Sequence, residues 1–264
     1  MKILPLVALA LGLGFLISCS PQVPLEKEGR TLVWNDEFDY TGLPNSEKWK
    51  FETGGDGFGN NELQYYTENR LKNARVEEGH LIIEAHREPW ENNEYTSAKL
   101  TTRKTQSWKY GSIEVRAKLP KGRGTWPAIW MMSTEMKKWP DDGEIDIMEH
   151  VGYNPGHIHA SVHTKKYNHI IGTQKTDTIV VPTAMEKFHV YRLDWSPEKL
   201  EVFVDDEKFY TYEKQEDSYE AWPLDQPYYL ILNQAVGGNW GGKEGVDPSI
   251  YPQKFIIDYV RVYK

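Results

Sequence analysis

Ser112–Ile113–Glu114–Val115–Arg116–Ala117 alternates apolar side chains with polar or charged ones. Only a β-strand, with its period of two, sorts such a run onto two clean faces. Leu81–Ile82–Ile83–Glu84–Ala85 and Leu200–Glu201–Val202–Phe203–Val204 are runs of the same kind, and Phe255 to Tyr263 alternates as a closing strand. Val204–Asp205–Asp206–Glu207–Lys208–Phe209 reads as a hairpin turn between two strands. Clusters of Gly, Pro, Asn and Asp separate these runs. Beyond the N-terminal leader no apolar stripe of period 3.6 is sustained for a dozen residues, and no segment of 20 to 50 residues repeats, which disfavours α/β, solenoid and propeller folds. The predicted fold is all-β, an antiparallel sandwich of two sheets.

A chain of 264 residues can bury a large core without disulfides or metals, and sandwiches of this size are commonly one domain. The net charge is -8, with 31 Lys and Arg against 39 Asp and Glu scattered along the chain, which argues against nucleic acid as a partner. A single cysteine excludes an intramolecular disulfide framework and any cysteine-rich zinc site. Ten Trp, sixteen Tyr and eight Phe make 13% of the chain aromatic, a load suited to a β-protein that stacks flat ligands such as sugar rings.

Residues 1–18 read as a signal peptide, with Lys2 as a minimal positive region and Ile3 to Ile17 as an apolar stretch too short to span a membrane comfortably. Leu16–Ile17–Ser18–Cys19 resembles a bacterial lipobox, which implies that Cys19, the one cysteine, becomes a lipidated N-terminus. The alternative is an ordinary secreted protein with an incidental cysteine. Residues 19–30 form the expected tether and 31–264 a single catalytic sandwich domain, a monomer. The expected location is the bacterial cell envelope, facing the cell surface or the periplasm, with the membrane as a partner through the anchor.

The chemistry concentrates in Gly143–Glu144–Ile145–Asp146–Ile147–Met148–Glu149–His150. Alternation places Glu144 and Asp146 on one face and Ile145 and Ile147 on the other, but it would turn Glu149 inward, where an unpaired carboxylate is costly. One extra residue at Ile147–Met148, a β-bulge, returns Glu149 to the acid face. The two glutamates are then about four strand steps apart, roughly 13 Å between Cα atoms, and can lean their carboxyl groups to roughly 5 to 6 Å, the spacing of a retaining glycosidase. A solvated acidic edge would read otherwise, with lysines mixed in.

Glu144–Ile145–Asp146–Ile147–Met148–Glu149 resembles the bulged active-site signature of glycoside hydrolase family 16. Further segments are similar in the family's order: Asn60–Asn61–Glu62–Leu63–Gln64–Tyr65–Tyr66–Thr67, Lys109–Tyr110–Gly111, Leu119–Pro120–Lys121–Gly122, Gly124 to Met132 and Ala235 to Gly242. The resemblance runs from Trp34 to the C-terminus and is strongest to bacterial laminarinase-like endo-β-1,3(4)-glucanases. It implies a β-jelly-roll with a concave cleft and β-1,3-glucan or mixed-linkage β-1,3/1,4-glucan as substrate. Agarases and carrageenases share the bulge but are less similar elsewhere, and lichenases and plant transglycosylases lack it. By the same resemblance Glu144 is the nucleophile, Glu149 the general acid/base and Asp146 the carboxylate that tunes them. Three neighbouring acids cannot all ionise cheaply, so at least one of their pKa values is expected to rise. Trp126, Trp130 and Trp240 are expected as cleft platforms, with a core position open for one of the first two. Asn60, Asn61, His163, Asn233 and Gln234 are expected to contact sugar, and Trp139 to border the cleft.

His157, His159 and His163 share a face if 157–163 is a strand, which raises zinc. The zinc-protease His-Glu-x-x-His pattern is absent, however, and the resemblance explains His163 as a cleft residue. No cofactor is expected for catalysis. A structural calcium ion is implied by many relatives, on Glu37, the Gly79 carbonyl and Asp258, against the equal alternative that Asp258 is merely an exposed strand residue. The rival functions are a transglycosylase, a hydrolase of another β-linked polysaccharide, a metal-dependent hydrolase and a carbohydrate-binding protein without catalysis. A pure binder would not need carboxylates at hydrolytic spacing.

Overall fold

The computed structural model describes residues 23–264, so the leader and Cys19 lie outside the described residues. The strands are, in order, β1 (Glu26–Lys27), β2 (Arg30–Asp36), β3 (Lys50–Phe51), β4 (Gln64–Tyr66), β5 (Ala74–Glu77) and β6 (His80–Trp90). Next come β7 (Asn93–Ser97), β8 (Lys99–Thr101), β9 (Gly111–Lys118), β10 (Thr125–Ser133), β11 (Glu144–His150) and β12 (His157–His163). After a 3-10 turn at His169–Ile171 follow β13 (Lys175–Val180), β14 (His189–Trp195), β15 (Lys199–Val204), β16 (Glu207–Glu213), β17 (Tyr228–Val236) and β18 (Gln253–Tyr263). Among the described residues no helix is long and apolar enough to cross a membrane.

One sheet has the order β16-β15-β14-β9-β18-β6-β7-β4, with β2 alongside β18, β1 on β2 and β5 on β6. The other has the order β13-β12-β11-β10-β17-β8-β3. The expected two-sheet sandwich is therefore present. Alternation decides which side chains fill it: Ile113 and Val115 of β9 and Leu193 of β14 meet Ile129 of β10, Ile145 of β11, Ile158 and Val162 of β12 and Leu230 of β17, all fully buried or nearly so. Each such side chain contributes about 1.5–3 kcal/mol by leaving water, so the apolar faces of these strands are committed inward. The polar faces are left to line the outer surfaces of the two sheets. The hairpin expected at Asp205–Asp206 joins β15 to β16, with Val204 paired to Glu207.

The tether is shorter than the sequence implies. Glu26 and Lys27 pair with Thr31 and Arg30 as a hairpin, and the turn residues Glu28 and Gly29 both have positive φ (52° and 74°), as a two-residue turn between twisted strands requires. This hairpin crosses the outer face of the larger sheet. Lys27 pairs with the buried Glu114 of β9, Glu28 accepts from Arg192 of β14, and Arg30 reaches Asp194 at 3.1 Å. The polar run offers no apolar alternation to mark it as a strand. Its Glu-Gly turn pair was the available signal.

The aromatic load also divides differently. Trp49, Trp108, Trp195 and Trp222 are buried in the core, with Trp34 edge-on to Trp49 and Trp108 at 5.7 and 5.3 Å. Trp126, Trp130, Trp139 and Trp240 line the outer face of the smaller sheet. Aromatic content thus serves the core as much as a ligand.

Candidate active site

β11 enters the sheet through Gly143, whose φ of +86° suits glycine, and a Cβ there would sit 2.1 Å from the Tyr228 hydroxyl. Tyr228 donates to the Asp142 carbonyl at 2.8 Å, so this close approach fixes where the acidic strand begins. Against β12, Glu144 faces His163, Asp146 faces Ser161 and Glu149 faces His159, with a register shift between Asp146 and Glu149. Three steps on β11 match two on β12. The bulge therefore lies at Ile147–Met148, as alternation demands, and both of those side chains are buried in the core while Glu144, Asp146 and Glu149 line one cleft.

The carboxylates are held by the cleft's own donors. Trp139 Nε1 donates to Glu144 Oε2 at 2.9 Å and Trp126 Nε1 to Glu149 Oε1 at 3.0 Å. One oxygen of each glutamate is thereby fixed and the other left for chemistry. His163 Nε2 lies 3.4 Å from Asp146 Oδ2 and 3.9 Å from Glu144 Oε1. Burial pushes all three carboxyl pKa values well up, the charge of Asp146 adds to the rise at both glutamates, and the Trp126 bond works against it at Glu149. Such a trio keeps a proton at neutral pH, which leaving-group departure requires.

The cleft encloses about 960 Å³. On one side of the acids, Trp130 donates from Nε1 to Asn233 Oδ1 at 2.7 Å, Asn233 donates to the Tyr66 hydroxyl at 2.9 Å, and Tyr66 donates to Glu62 Oε2 at 3.3 Å. Lys99 stands over the rings of Trp130 and Phe58, 5.0 and 4.9 Å from their centroids. On the other side, His159, Ser161 and Thr176 continue the floor, and Trp240 packs edge-on to Trp126 and His159. Trp139, His163 and His169 form an aromatic corner beside Glu144.

Most of the expected contact residues line this cleft: Asn60, Trp126, Trp130, Trp139, His163, Asn233 and Trp240. Two do not. Gln234 is fully buried with Leu230 and Leu232 on the core-facing side of β17, because neighbours in a strand point to opposite faces and Asn233 takes the cleft. Asn61 lies outside the lining; with φ of 55° it donates to Asn239 Oδ1 at 2.8 Å and ties the loop before β4 to the loop after β17. Glu62, Tyr66, Lys99 and His169 line the cleft or its rim unannounced by the sequence. Lys99 and Tyr66 come from short strands whose faces cannot be read without their partners.

Both carboxylates of the expected calcium set have guanidinium partners in the chain itself. Glu37 accepts from Arg261 Nε and Nη2 at 3.0 and 2.8 Å, Asp258 is paired with Arg116, and Gly79 belongs to the positive-φ turn between β5 and β6. Both carboxylates are already neutralised by the chain's own guanidinium groups. The three histidines also part company: His159 is bonded to Thr178 at 2.9 Å, His157 turns to the Pro155 carbonyl at 3.2 Å, and His163 faces the acids.

The sequence profile of Glycosyl hydrolases family 16 matches residues 61–261. The chain belongs to this family and is a glycoside hydrolase, with the jelly-roll that its solved members display. It is 56% identical to a Beta-glucanase of Rhodothermus marinus, over 88% of this chain and 85% of that one. The crystal structure of the laminarinase from Rhodothermus marinus superimposes with a TM-score of 0.88, at 55% identity over 89% of this chain and 97% of that one. A non-specific endo-beta-1,3(4)-glucanase of the family, co-crystallised with 1,3-beta-D-cellotriosyl-glucose, gives a TM-score of 0.87 at 44% identity, covering 90% of this chain and 96% of that one.

Proposed function

We propose that this protein is a retaining endo-β-glucanase that cleaves internal linkages of β-1,3-glucan and of mixed-linkage β-1,3/1,4-glucan. The observation that carries the reading is the bulge, which puts Glu144 and Glu149 on the same cleft wall with one indole clamped on each. Glu144 attacks the anomeric carbon through Oε1, since Oε2 is held by Trp139. The glycosidic C–O bond breaks and its oxygen takes the proton of Glu149. Glu149 then removes a proton from water, which attacks the same carbon and frees the Glu144 carboxylate. Two inversions leave the configuration retained. The laminarinases and endo-β-1,3(4)-glucanases among the relatives support the substrate, and an open cleft walled on both sides of the acids supports internal attack. Laminarin and barley-type glucan should yield a ladder of short oligosaccharides, with cellulose and xylan untouched. Proton NMR of the first product should show the β-anomer; an initial α-anomer, or a preference for agarose or carrageenan, overturns the reading.

The lipobox-like Leu16–Ile17–Ser18–Cys19 supports a mature monomer anchored by lipid to a bacterial envelope, since lipoprotein processing supplies the multiple acyl chains that stable anchoring needs. Cys19→Ala should release the protein from the membrane fraction or leave it unprocessed, and unchanged fractionation refutes the anchor.

A further inference from the structure

The acid side of the cleft has the donor set and the spacing of a metal site. Glu144, Asp146 and His163 each offer one ligand atom, and these atoms all lie within 4.8 Å of one another. Zinc bonds to nitrogen and carboxylate oxygen at about 2.0–2.2 Å, so the ligand atoms of a tetrahedral site stand roughly 3.3–3.5 Å apart. His163 Nε2 is 3.4 Å from Asp146 Oδ2 and 3.9 Å from Glu144 Oε1. One edge of the triangle already has the length a bound ion would impose, and a second needs only a few tenths of an ångström of side-chain movement.

A second observation separates this group from an ordinary acidic cluster. Asp146 is 3% exposed and His163 7% exposed, and Asp146 Oδ2 is buried without a hydrogen-bond partner although His163 Nε2 is beside it. A buried carboxylate oxygen without a partner is costly, and a cation placed between it and the imidazole Nε2 would satisfy it. The imidazole favours zinc, copper or nickel over magnesium or calcium, which prefer six or more oxygens.

We propose that Glu144, Asp146 and His163 form an inhibitory site for a borderline-soft divalent cation, zinc being the probe of choice. Glu144 Oε2 is occupied by Trp139, so the oxygen offered to the metal is Oε1, the one that attacks the sugar. Metal and substrate therefore compete for one lone pair. The ion plays no part in turnover. Its fourth position faces the cleft, where water completes the tetrahedron until a sugar ring displaces it.

Cobalt(II) reads the site without turnover, so the result does not depend on the assignment of the substrate. Added to the intact protein, CoCl2 should give the intense visible absorption of a tetrahedral ion, abolished by excess ZnCl2 and by His163→Ala or His163→Gln. In assays on laminarin, ZnCl2 should inhibit competitively, EDTA should restore the rate, and MgCl2 at the same concentration should have no effect. Either histidine variant should raise the inhibitory zinc concentration at least tenfold relative to its own metal-free rate, while His157→Ala leaves it unchanged. Octahedral cobalt spectra, non-competitive inhibition, or zinc sensitivity retained in both His163 variants overturns the proposal. If laminarin is not hydrolysed but the tetrahedral spectrum appears and depends on His163, the site stands and the substrate reading falls.

Discussion

Trp126 and Asp146 act on the same proton from opposite directions. Burial and, after it, the charge of Asp146 raise the pKa of Glu149, the indole bond from Trp126 works against them, and together they leave it at about 8. Glu149 must be protonated to release the leaving group, so the rate of that step is full below this pKa and is lost as pH rises through it. Asp146→Asn removes a raising influence and should move the alkaline limb of kcat/KM toward acid. Trp126→Phe removes a lowering one and should move it toward alkali. Each shift should be on the order of one pH unit. Profiles that moved the same way would mean that Glu149 does not govern this limb. At this scale the sequence was informative where chemistry restricts residue type: three acids on one strand announce their competition for protons. It was silent on Trp139, Trp126 and His163 as partners of particular oxygens, because those pairings depend on side-chain direction across loops and neighbouring strands.

The bulge was legible because Glu144 and Glu149 lie five positions apart, an odd offset, so a regular strand cannot show both to the same side. That parity argument makes opposite predictions for two changes of length. Deleting Met148 leaves Glu144, Asp146 and Glu149 at every second position of a regular strand, so hydrolysis should survive, at a stability cost of about 2–5 kcal/mol for the lost core side chain. Inserting one alanine between Met148 and Glu149 turns Glu149 away from the cleft where the bulge persists and carries it two strand steps too far from Glu144 where the strand becomes regular, so either way kcat should fall by about a thousandfold or more, the scale of losing a general acid. Kinetics on laminarin beside a melting curve for each variant separates the two effects. The same period of two explains the failure at Gln234, since it cannot share a face with its neighbour Asn233 in β17. It also explains why β1 went unread: the hairpin of Glu26 to Arg30 is held by ion pairs, and charge pairs leave no periodic mark in a sequence.

Over the whole molecule, the fold follows chiefly from alternation, because most of the long strands bury an apolar face and the two buried faces need each other. What alternation cannot assign is which outer face carries function. The smaller sheet gathers the acids and four tryptophans, and the larger sheet carries charged pairs such as Arg116–Asp258 and Arg261–Glu37, which consume the carboxylates expected to hold calcium. The opening hairpin lies on that second face, so the chain arrives at the domain from behind the cleft. The fold thus has a built-in mounting: pulled toward any support by its N-terminus, it turns its catalytic surface outward. Protein fixed to beads through a tag placed before Val23 should keep most of its rate on soluble laminarin. Fixed through Ile170→Cys at the cleft rim, it should lose the polymer while still cleaving small aryl glucosides. Equal losses by the two attachments would show that the approach side does not matter, whereas the expected difference would make the opening hairpin a device for aiming the enzyme.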